Sequence, residues 1–141
     1  MDQSPRISLL ISQALGLYRL RINALLAQHH IDLTSEMVTV LRVLWQREGR
    51  KQQELADLLH KDKASITKVI HNMEKRGLVA RVADETDARN KKIVLTQQGQ
   101  ALKKEVLPVL DPFLDSLTAD FDEKELAAAR AVLSAIIRQL Q

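Results

Sequence analysis

The segment QQELADLLHKDKASITKVIHNMEKRGLVARV, residues 52–82, constrains the fold more strongly than any other part of the chain. Its spacing predicts a short helix over 52–59, a turn over 60–62 and a second helix over 63–76. In the second helix, apolar side chains recur three or four positions apart, so we expect one face to be buried. This pattern is typical of a helix-turn-helix. The apolar face consists of Ile66, Val69, Ile70 and Met73.

The opposite face of the second helix is small, polar and basic. Small side chains let a helix enter the major groove of DNA, lysines meet phosphates, and hydroxyl or amide groups can bond to base edges. This composition predicts a recognition helix. An exposed helix with ordinary surface lysines is the alternative, and the motif alone does not separate the two. The face contains Lys61, Ala64, Lys68, His71 and Lys75, with Ser65, Thr67 and Asn72 at its flanks.

A β-hairpin is predicted directly after this helix. Gly77 can supply the left-handed end of the helix, and LVARV and KIVLT are two short β-rich runs. The loop between them, Ala83 to Lys91, has nine residues and no glycine, so we expect it to project as a charged arm. Such an arm beside a recognition helix is a wing, whose tip can reach the minor groove. Arg89 is the candidate for that insertion, and Asp87 is expected to orient an arginine or to brace the loop.

The N-terminal region is predicted to form a long helix, with Ser4 as its cap and Pro5 at its first position. Its apolar arc is wider than one core contact needs, so a second surface is expected to cover it, most simply a second copy of the chain. Tyr18 and Trp45 are expected to be core anchors. The buried face would comprise Ile7, Leu10, Ile11, Ala14, Tyr18, Ile22 and Leu25, and the arc is widened by Leu9, Leu15, Leu17 and Leu20.

Three further helices are predicted outside the central segment. Thr34 should cap one that Gly49 ends, and Asp122 should cap the last helix of the chain. Between Thr96 and Asp122 the helical period returns, but Pro108 and Pro112 interrupt it and should kink or split that helix. Both chain ends are therefore expected to be amphipathic helices.

Composition excludes several other classes of protein. The 141 residues, 45% of them hydrophobic, correspond to one ordinary domain. Because cysteine is absent, disulfides, thiolate nucleophiles and Cys-containing zinc sites are excluded. There is no apolar run long enough for a membrane span and no sign of a signal peptide, so we expect a cytoplasmic protein with no membrane partner. The histidines His29, His30, His60 and His71 form no recognisable metal site.

The positive charge is concentrated in the middle of the chain. Residues 50–96 carry eleven bases and seven acids, a net charge of +4, whereas the whole chain carries +3. A basic middle fits an anionic partner, although a solvated surface accounts for it equally well. The chain has no glycine-rich phosphate loop, no metal-binding motif and no legible catalytic triad, so neither an enzyme nor a cofactor is expected.

These features together resemble the MarR family of winged-helix dimers over nearly the whole chain. The carrying stretches are LTSEMVTVL, ELADLL, ASITKVIHNMEKRGLVAR and DETDARNKKIVLTQQG. The wing motif of the family matches Asp87, Arg89, Leu95, Thr96 and Gly99. Lys51 stands where relatives often have a Thr or Ser cap, and the two prolines fall in what is usually one long helix.

The resemblance implies a mainly α fold: a winged helix-turn-helix with a small β-hairpin wing, plus N- and C-terminal dimerisation helices. Residues 1–141 would form one domain, with a DNA-binding lobe over 34–96 and a helical dimerisation lobe over 1–33 and 97–141. Ser65, Thr67 and Lys68 would approach bases and phosphates, and Arg89 would enter the minor groove. Asp87 would support the wing. The full set of candidate DNA-binding residues is Lys63, Ala64, Ser65, Thr67, Lys68, Asn72, Arg89 and Lys91.

The expected function is therefore that of a sequence-specific transcriptional repressor. It would act as a homodimer on double-stranded DNA with a near-palindromic operator, and a small-molecule effector, often an anionic aromatic in this family, would release it. The alternative is a helical protein-interaction module, or a winged helix that does not act through DNA. A weak dependence of binding on salt would favour that alternative, because phosphate contacts make affinity fall steeply as salt rises.

Overall fold

The computed structural model describes residues 3–59, 61–87 and 89–141, and these form helices and one small sheet. The fold is mainly α with a β-hairpin wing, which confirms the predicted class. No helix among the described residues is long and apolar enough to cross a membrane. The elements are α1 (Ile7–Gln28), α2 (Ser35–Gln46), β1 (Arg50–Lys51), α3 (Gln52–Leu58), α4 (Lys63–Lys75), β2 (Val79–Ala83), β3 (Lys91–Leu95), α5 (Gln97–Ala101), α6 (Lys103–Ser116) and α7 (Glu123–Leu140).

The apolar face of α4 lies at the centre of the larger hydrophobic cluster. Ile66, Ile70 and Met73 are fully buried, as the spacing predicts. They pack with residues of α2, α3 and the sheet, among them Leu44 and Ile93. This burial fixes which side of α4 faces the protein, and therefore which side faces outward.

A second cluster joins α1 to α2 and α6 through Ile22, Leu26, Val38, Val106 and Leu110. The Trp45 ring packs against both clusters. Its indole nitrogen donates a hydrogen bond of 3.1 Å to the carbonyl oxygen of Gly99. Trp45 is thus a core anchor, as predicted.

The sheet contains a strand that the sequence analysis missed. The strand order is β1-β3-β2, with both pairs antiparallel. In β1, Arg50 pairs with Ile93 and Lys51 with Lys92. Gly49, with φ of +71°, turns the chain into this strand. The hairpin itself is confirmed, although each strand begins or ends within one residue of the predicted runs.

The prediction for the N-terminal helix is wrong at its start and along its face. The helix begins at Ile7 with Arg6 as its N-cap and no side-chain capping bond, so Ser4 is not the cap. Ile22 is buried within the chain, but Ile7 and Tyr18 remain 55% and 38% exposed. Tyr18 is therefore not a core anchor of the single chain, because it lines an open groove beside Phe113 of α6 and is not enclosed.

Pro108 and Pro112 do not split the helix, so that half of the prediction is wrong, while a kink at the prolines stays a prediction. α6 continues through both prolines, and it follows α5 after the single residue Leu102, whose backbone stays in the helical region. A Cβ atom on Gly99, within α5, would lie 2.1 Å from the carbonyl oxygen of Leu78, so this segment is pressed tightly against the start of the hairpin.

The predicted helix caps fare better. The Thr34 side chain accepts a 3.2 Å hydrogen bond from the Met37 amide, and Asp122 forms a capping box with Glu125. α2 ends at Gln46, before Gly49. These two caps succeed because a Thr or Asp at the N-cap position can bond the free amides of the first helical turn through local contacts alone.

Candidate nucleic-acid interface

The N-terminal turn of α4 is held by Asp62. Its carboxylate accepts a 2.7 Å hydrogen bond from the Ser65 amide. This backbone bond, followed by the Ser65 hydroxyl, lowers the pKa of Asp62 below its ordinary value. A carboxylate at a helix N-terminus also interacts favourably with the helix dipole. The start of α4 is therefore fixed by a local cap.

The outward face of α4 agrees with the predicted composition, with one exception. Ala64, Ser65 and Lys68 are exposed, as are His71 and Asn72 further along the helix. Lys61 precedes the helix, is half-buried and pairs with Glu36 at 3.8 Å, so the sequence analysis placed it wrongly on the outward face.

Thr67 is partly committed within the protein. Its hydroxyl donates a 2.7 Å hydrogen bond to the carbonyl oxygen of Lys63. The Thr67 hydroxyl oxygen in turn accepts a 2.7 Å bond from the side-chain amide of Gln52. Since the hydroxyl proton is already used, Thr67 can face DNA only with its methyl group and its remaining lone pair. Gln52 is a link between α3 and α4 that the sequence analysis did not identify.

The wing loop is braced from inside by Asp87. One carboxylate oxygen accepts a 3.0 Å bond from the Arg89 amide, and the other lies 3.4 Å from the side-chain nitrogen of Asn90. The Asn90 amide also donates to the Asp87 carbonyl oxygen at 3.0 Å. Asp87 therefore shapes the loop, which is one of its two predicted roles, while the Arg89 side chain is exposed. Ala88, in the same loop, lies outside the described residues.

A crevice of about 250 Å³ separates the wing from the start of α4. Lys63 contributes to it from α4, Arg89 and Lys91 from the wing, and Lys51 from β1. Three predicted candidates thus come together at one place, while Ser65, Lys68 and Asn72 lie along the exposed side of α4. Cations that converge on a groove form a favourable environment for a phosphate anion.

A buried carboxylate lies at the base of this wing. Asp84 is only 5% exposed, and its oxygens lie 3.6 Å from the Lys51 ammonium and 3.8 Å from that of Lys92. The amide of Thr86, aided by its hydroxyl and by both lysines, lowers the pKa of Asp84 against the opposing effect of burial. Sequence reasoning missed Asp84 because its burial depends on β1, and two residues show no strand periodicity.

Comparisons with known proteins give a consistent result. The family model described as MarR family matches residues 33–91. The transcriptional regulator HosA of Escherichia coli O127:H6 is 30% identical over 112 residues, which cover 76% of this chain and 83% of HosA. The regulator TtmR of Methylorubrum extorquens is 38% identical over 80 residues, 57% of this chain, but this chain spans only 40% of TtmR.

Solved structures extend the similarity to nearly the whole chain. The MepR–DNA complex of S. aureus is 25% identical with a TM-score of 0.87, and the match covers 98% of this chain and 100% of MepR. The crystal structure of MarR is 28% identical with a TM-score of 0.76, covering 99% and 94%. The helix-turn-helix and wing described above are therefore part of a fold shared with DNA-binding regulators.

Proposed function

This chain belongs to the MarR family of transcriptional regulators, and from that premise we propose that it binds double-stranded DNA as a homodimer. It is a regulator of transcription rather than an enzyme. The operator in this proposal is a near-palindrome whose half-sites lie about one helical turn apart, roughly 34 Å. Bound there, the dimer represses transcription.

The observation that carries the proposal is the crevice between α4 and the wing. Lys63, Arg89 and Lys91 line it, and the exposed first turn of α4 begins beside it. In the proposed complex Ala64 allows close approach, Ser65 and Asn72 bond to base edges, and the lysines, Lys68 included, bind phosphates. Arg89 enters the minor groove, and Asp87 supports the loop that carries it. Thr67 lines the major groove with its methyl group.

We assign residues 34–96 to the DNA-binding lobe and residues 1–33 with 97–141 to the dimerisation lobe. The hydrophobic clusters support this division, since one surrounds α4 and the other joins α1 to α6. Val38 of α2 belongs to the second cluster, so the lobes share a packed boundary. A movement of the dimerisation helices would therefore be transmitted to α2, and through α2 to α4 and the wing.

The test begins with selection of bound duplexes from sheared genomic DNA of the source organism by the purified full-length protein. The best fragment is then titrated against its scrambled sequence at two salt concentrations. We expect much tighter binding to the selected fragment, with affinity that falls steeply as salt rises. Weak and equal binding to both duplexes would instead favour the protein-interaction alternative.

Arg89→Ala tests the wing directly. We expect operator affinity to fall about five- to a hundredfold, because an arginine contact to bases is worth about 1 to 3 kcal/mol. The melting temperature should hardly change, since the Arg89 side chain is exposed. Lys124→Ala, which removes one charge from exposed α7, is the matched control. If Arg89→Ala and Lys124→Ala lower operator affinity equally, the wing does not contact the operator.

We also propose that an organic anion releases the dimer from DNA. An apolar groove of about 500 Å³ between α1 and α6 supports this. Arg21 lies at the groove with its guanidinium 5.5 Å from the centroid of the Phe113 ring, so a cation borders an aromatic wall. An aromatic carboxylate matches both features. To act as an effector, it must bind one dimer conformation more tightly than the other.

Benzoate and its uncharged analogue benzamide separate the two contributions. We expect benzoate to raise the melting temperature and to weaken operator binding, while benzamide does neither at the same concentration. Arg21→Gln should abolish the response to benzoate. If benzamide matches benzoate, the Arg21 charge plays no part; if neither compound binds, the groove is not an effector site for aromatic acids.

A further inference from the structure

Asp84, Lys51 and Lys92 form a three-residue cluster at the foot of the wing, here termed the wing-base clasp. Its geometry is one carboxylate between two ammonium groups, at 3.6 Å and 3.8 Å. The Asp84 side chain is 3% exposed, whereas the lysine side chains are 41% and 35% exposed. The acid is therefore buried beneath two cations that still reach solvent.

The clasp offsets a repulsion that the sheet creates. Lys51 and Lys92 are direct cross-strand partners in the β1–β3 pair. Like charges directly opposite each other destabilise a strand pair. Because β1 has only two residues, few backbone bonds are available to hold it against that repulsion. The Asp84 carboxylate supplies the compensating charge.

A continuous path leads from the clasp to the recognition helix. Lys51 is followed by Gln52, whose side chain bonds to Thr67 of α4 at 2.7 Å. On the other side, the Asp84 amide donates a 3.0 Å bond to the Asn90 carbonyl oxygen and so closes the base of the wing loop. The wing and α4 are thus joined through adjacent residues of β1 and α3.

We propose that Asp84 is a positioning residue that sets the wing at a fixed offset from the recognition helix. This inference rests on the proposed function, since the offset matters only if both elements bind DNA together. Asp84 also neutralises part of the charge of Lys51 and Lys92, so Lys51, although it lines the crevice, attracts phosphate less than Lys63 and Lys91 do. It thereby converts two cations that could bind any DNA into supports for a wing that binds in register with α4.

Asp84→Asn removes the charge but leaves an oxygen that can still accept from the Thr86 amide. The matched control is Glu85→Gln, the same change of charge at the exposed neighbouring residue. We expect Asp84→Asn to lower affinity for the selected operator about tenfold, while affinity for scrambled DNA stays equal or rises. A merely structural role would lower both affinities together. Glu85→Gln should leave the ratio of the two affinities unchanged.

A double-mutant cycle with Arg89→Ala shows whether the effect passes through the wing. If Asp84 positions the wing, Arg89→Ala should lower operator affinity about tenfold in the wild-type and Glu85→Gln backgrounds, but less than about threefold in the Asp84→Asn background. Equal losses in all three backgrounds would overturn the inference. If Asp84→Asn fails to fold, Lys92→Gln can replace it, since it breaks one side of the clasp. In the Lys92→Gln background too, Arg89→Ala must then lower operator affinity by less than about threefold.

The cycle also distinguishes this inference from the proposed function. A wild-type protein that binds selected and scrambled DNA equally would contradict the proposed function itself. A wild-type protein that discriminates between them, and loses affinity with Arg89→Ala, would support that function. In that case, an Asp84→Asn variant with the same ratio of affinities for selected and scrambled DNA would contradict only the positioning role of Asp84. The proposed function would still stand.

Discussion

Ile66 and Lys68 lie two positions apart on α4 and have opposite environments. The Ile66 side chain is fully buried in the cluster around α4, and Lys68 is exposed on the side proposed to meet DNA. A helix advances about 100° per residue, so a separation of two residues turns the side chain away from the core. One helix can therefore serve stability and recognition through separate residues.

Truncation of each side chain should separate these two tasks. Ile66→Ala should lower the free energy of unfolding by about 2 to 5 kcal/mol, as a buried truncation that leaves a cavity. Lys68→Ala should change it by less than about 0.5 kcal/mol, yet reduce the salt slope of DNA binding by about one. Denaturant unfolding and titrations at several salt concentrations measure the two effects. A fully stable Ile66→Ala variant would mean that the buried face of α4 is drawn wrongly.

At the scale of elements, the helices with periodic apolar spacing could be predicted and the elements set by tertiary contacts could not. The face of α4 is legible because four apolar residues repeat at helical intervals. Nothing local marks β1, since its formation depends on pairing with β3. The close packing of Gly99 on the Leu78 carbonyl is likewise set by a contact between segments distant in sequence.

The candidate site was predictable to a similar extent. Exposed side chains such as Arg89 follow from the motif and its loop length. Asp84 and Gln52 act through partners distant in sequence, on β1 and α4, so their roles require the folded structure. The continuation of α6 through Pro108 also depends on tertiary contacts that the local sequence does not show. α6 packs against α1, and the burial of its apolar side chains offsets the hydrogen bond lost at the proline.

The Asp62 cap of α4 should make the free energy of unfolding depend on pH in the acid range. Because hydrogen bonds lower the pKa of Asp62 below 3.8 in the folded state, its ionised form stabilises the fold above that pH. The stabilisation is lost as pH falls through the folded pKa. Asp62→Asn keeps a good cap without this titration, so wild type should lose more stability than the variant between about pH 7 and about pH 3.

The measurement is the free energy of unfolding at both pH values, with Asp115→Asn as the control. Asp115 is an exposed carboxyl of α6 that does not cap a helix. Parallel losses of stability in wild type and Asp62→Asn would show that the cap carries no pH dependence.

At the scale of the whole molecule, a single chain leaves much of its apolar surface uncovered. Among the described residues, α7 buries none of its side chains, and Leu133 is 48% exposed. An apolar groove of about 530 Å³ runs between α7 and the start of α1, with Ile7 and Leu10 on its other side. A helix gains most of its stability from packing, so we expect the exposed apolar face of α7 to be covered in the assembled protein. A second copy presents the same two helices and can cover them by two-fold symmetry.

Leu133→Glu should therefore dissociate the dimer, because it places a charge in the apolar groove while retaining a good helix former. We expect wild type to sediment at twice the 16.0 kDa chain mass and the variant to shift towards one chain mass at micromolar concentration. Ser134→Glu is the control. Ser134 lies one helical turn from both Arg130 and Arg138, so the new carboxylate can pair with either guanidinium. Operator affinity should fall as the dimer dissociates. In a dimer, binding of one subunit to its half-site holds the second subunit close to the other half-site, and separate monomers lose this advantage. A wild-type chain that remains monomeric at tens of micromolar, or a Leu133→Glu variant that remains dimeric, would mean that another surface covers α1 and α7.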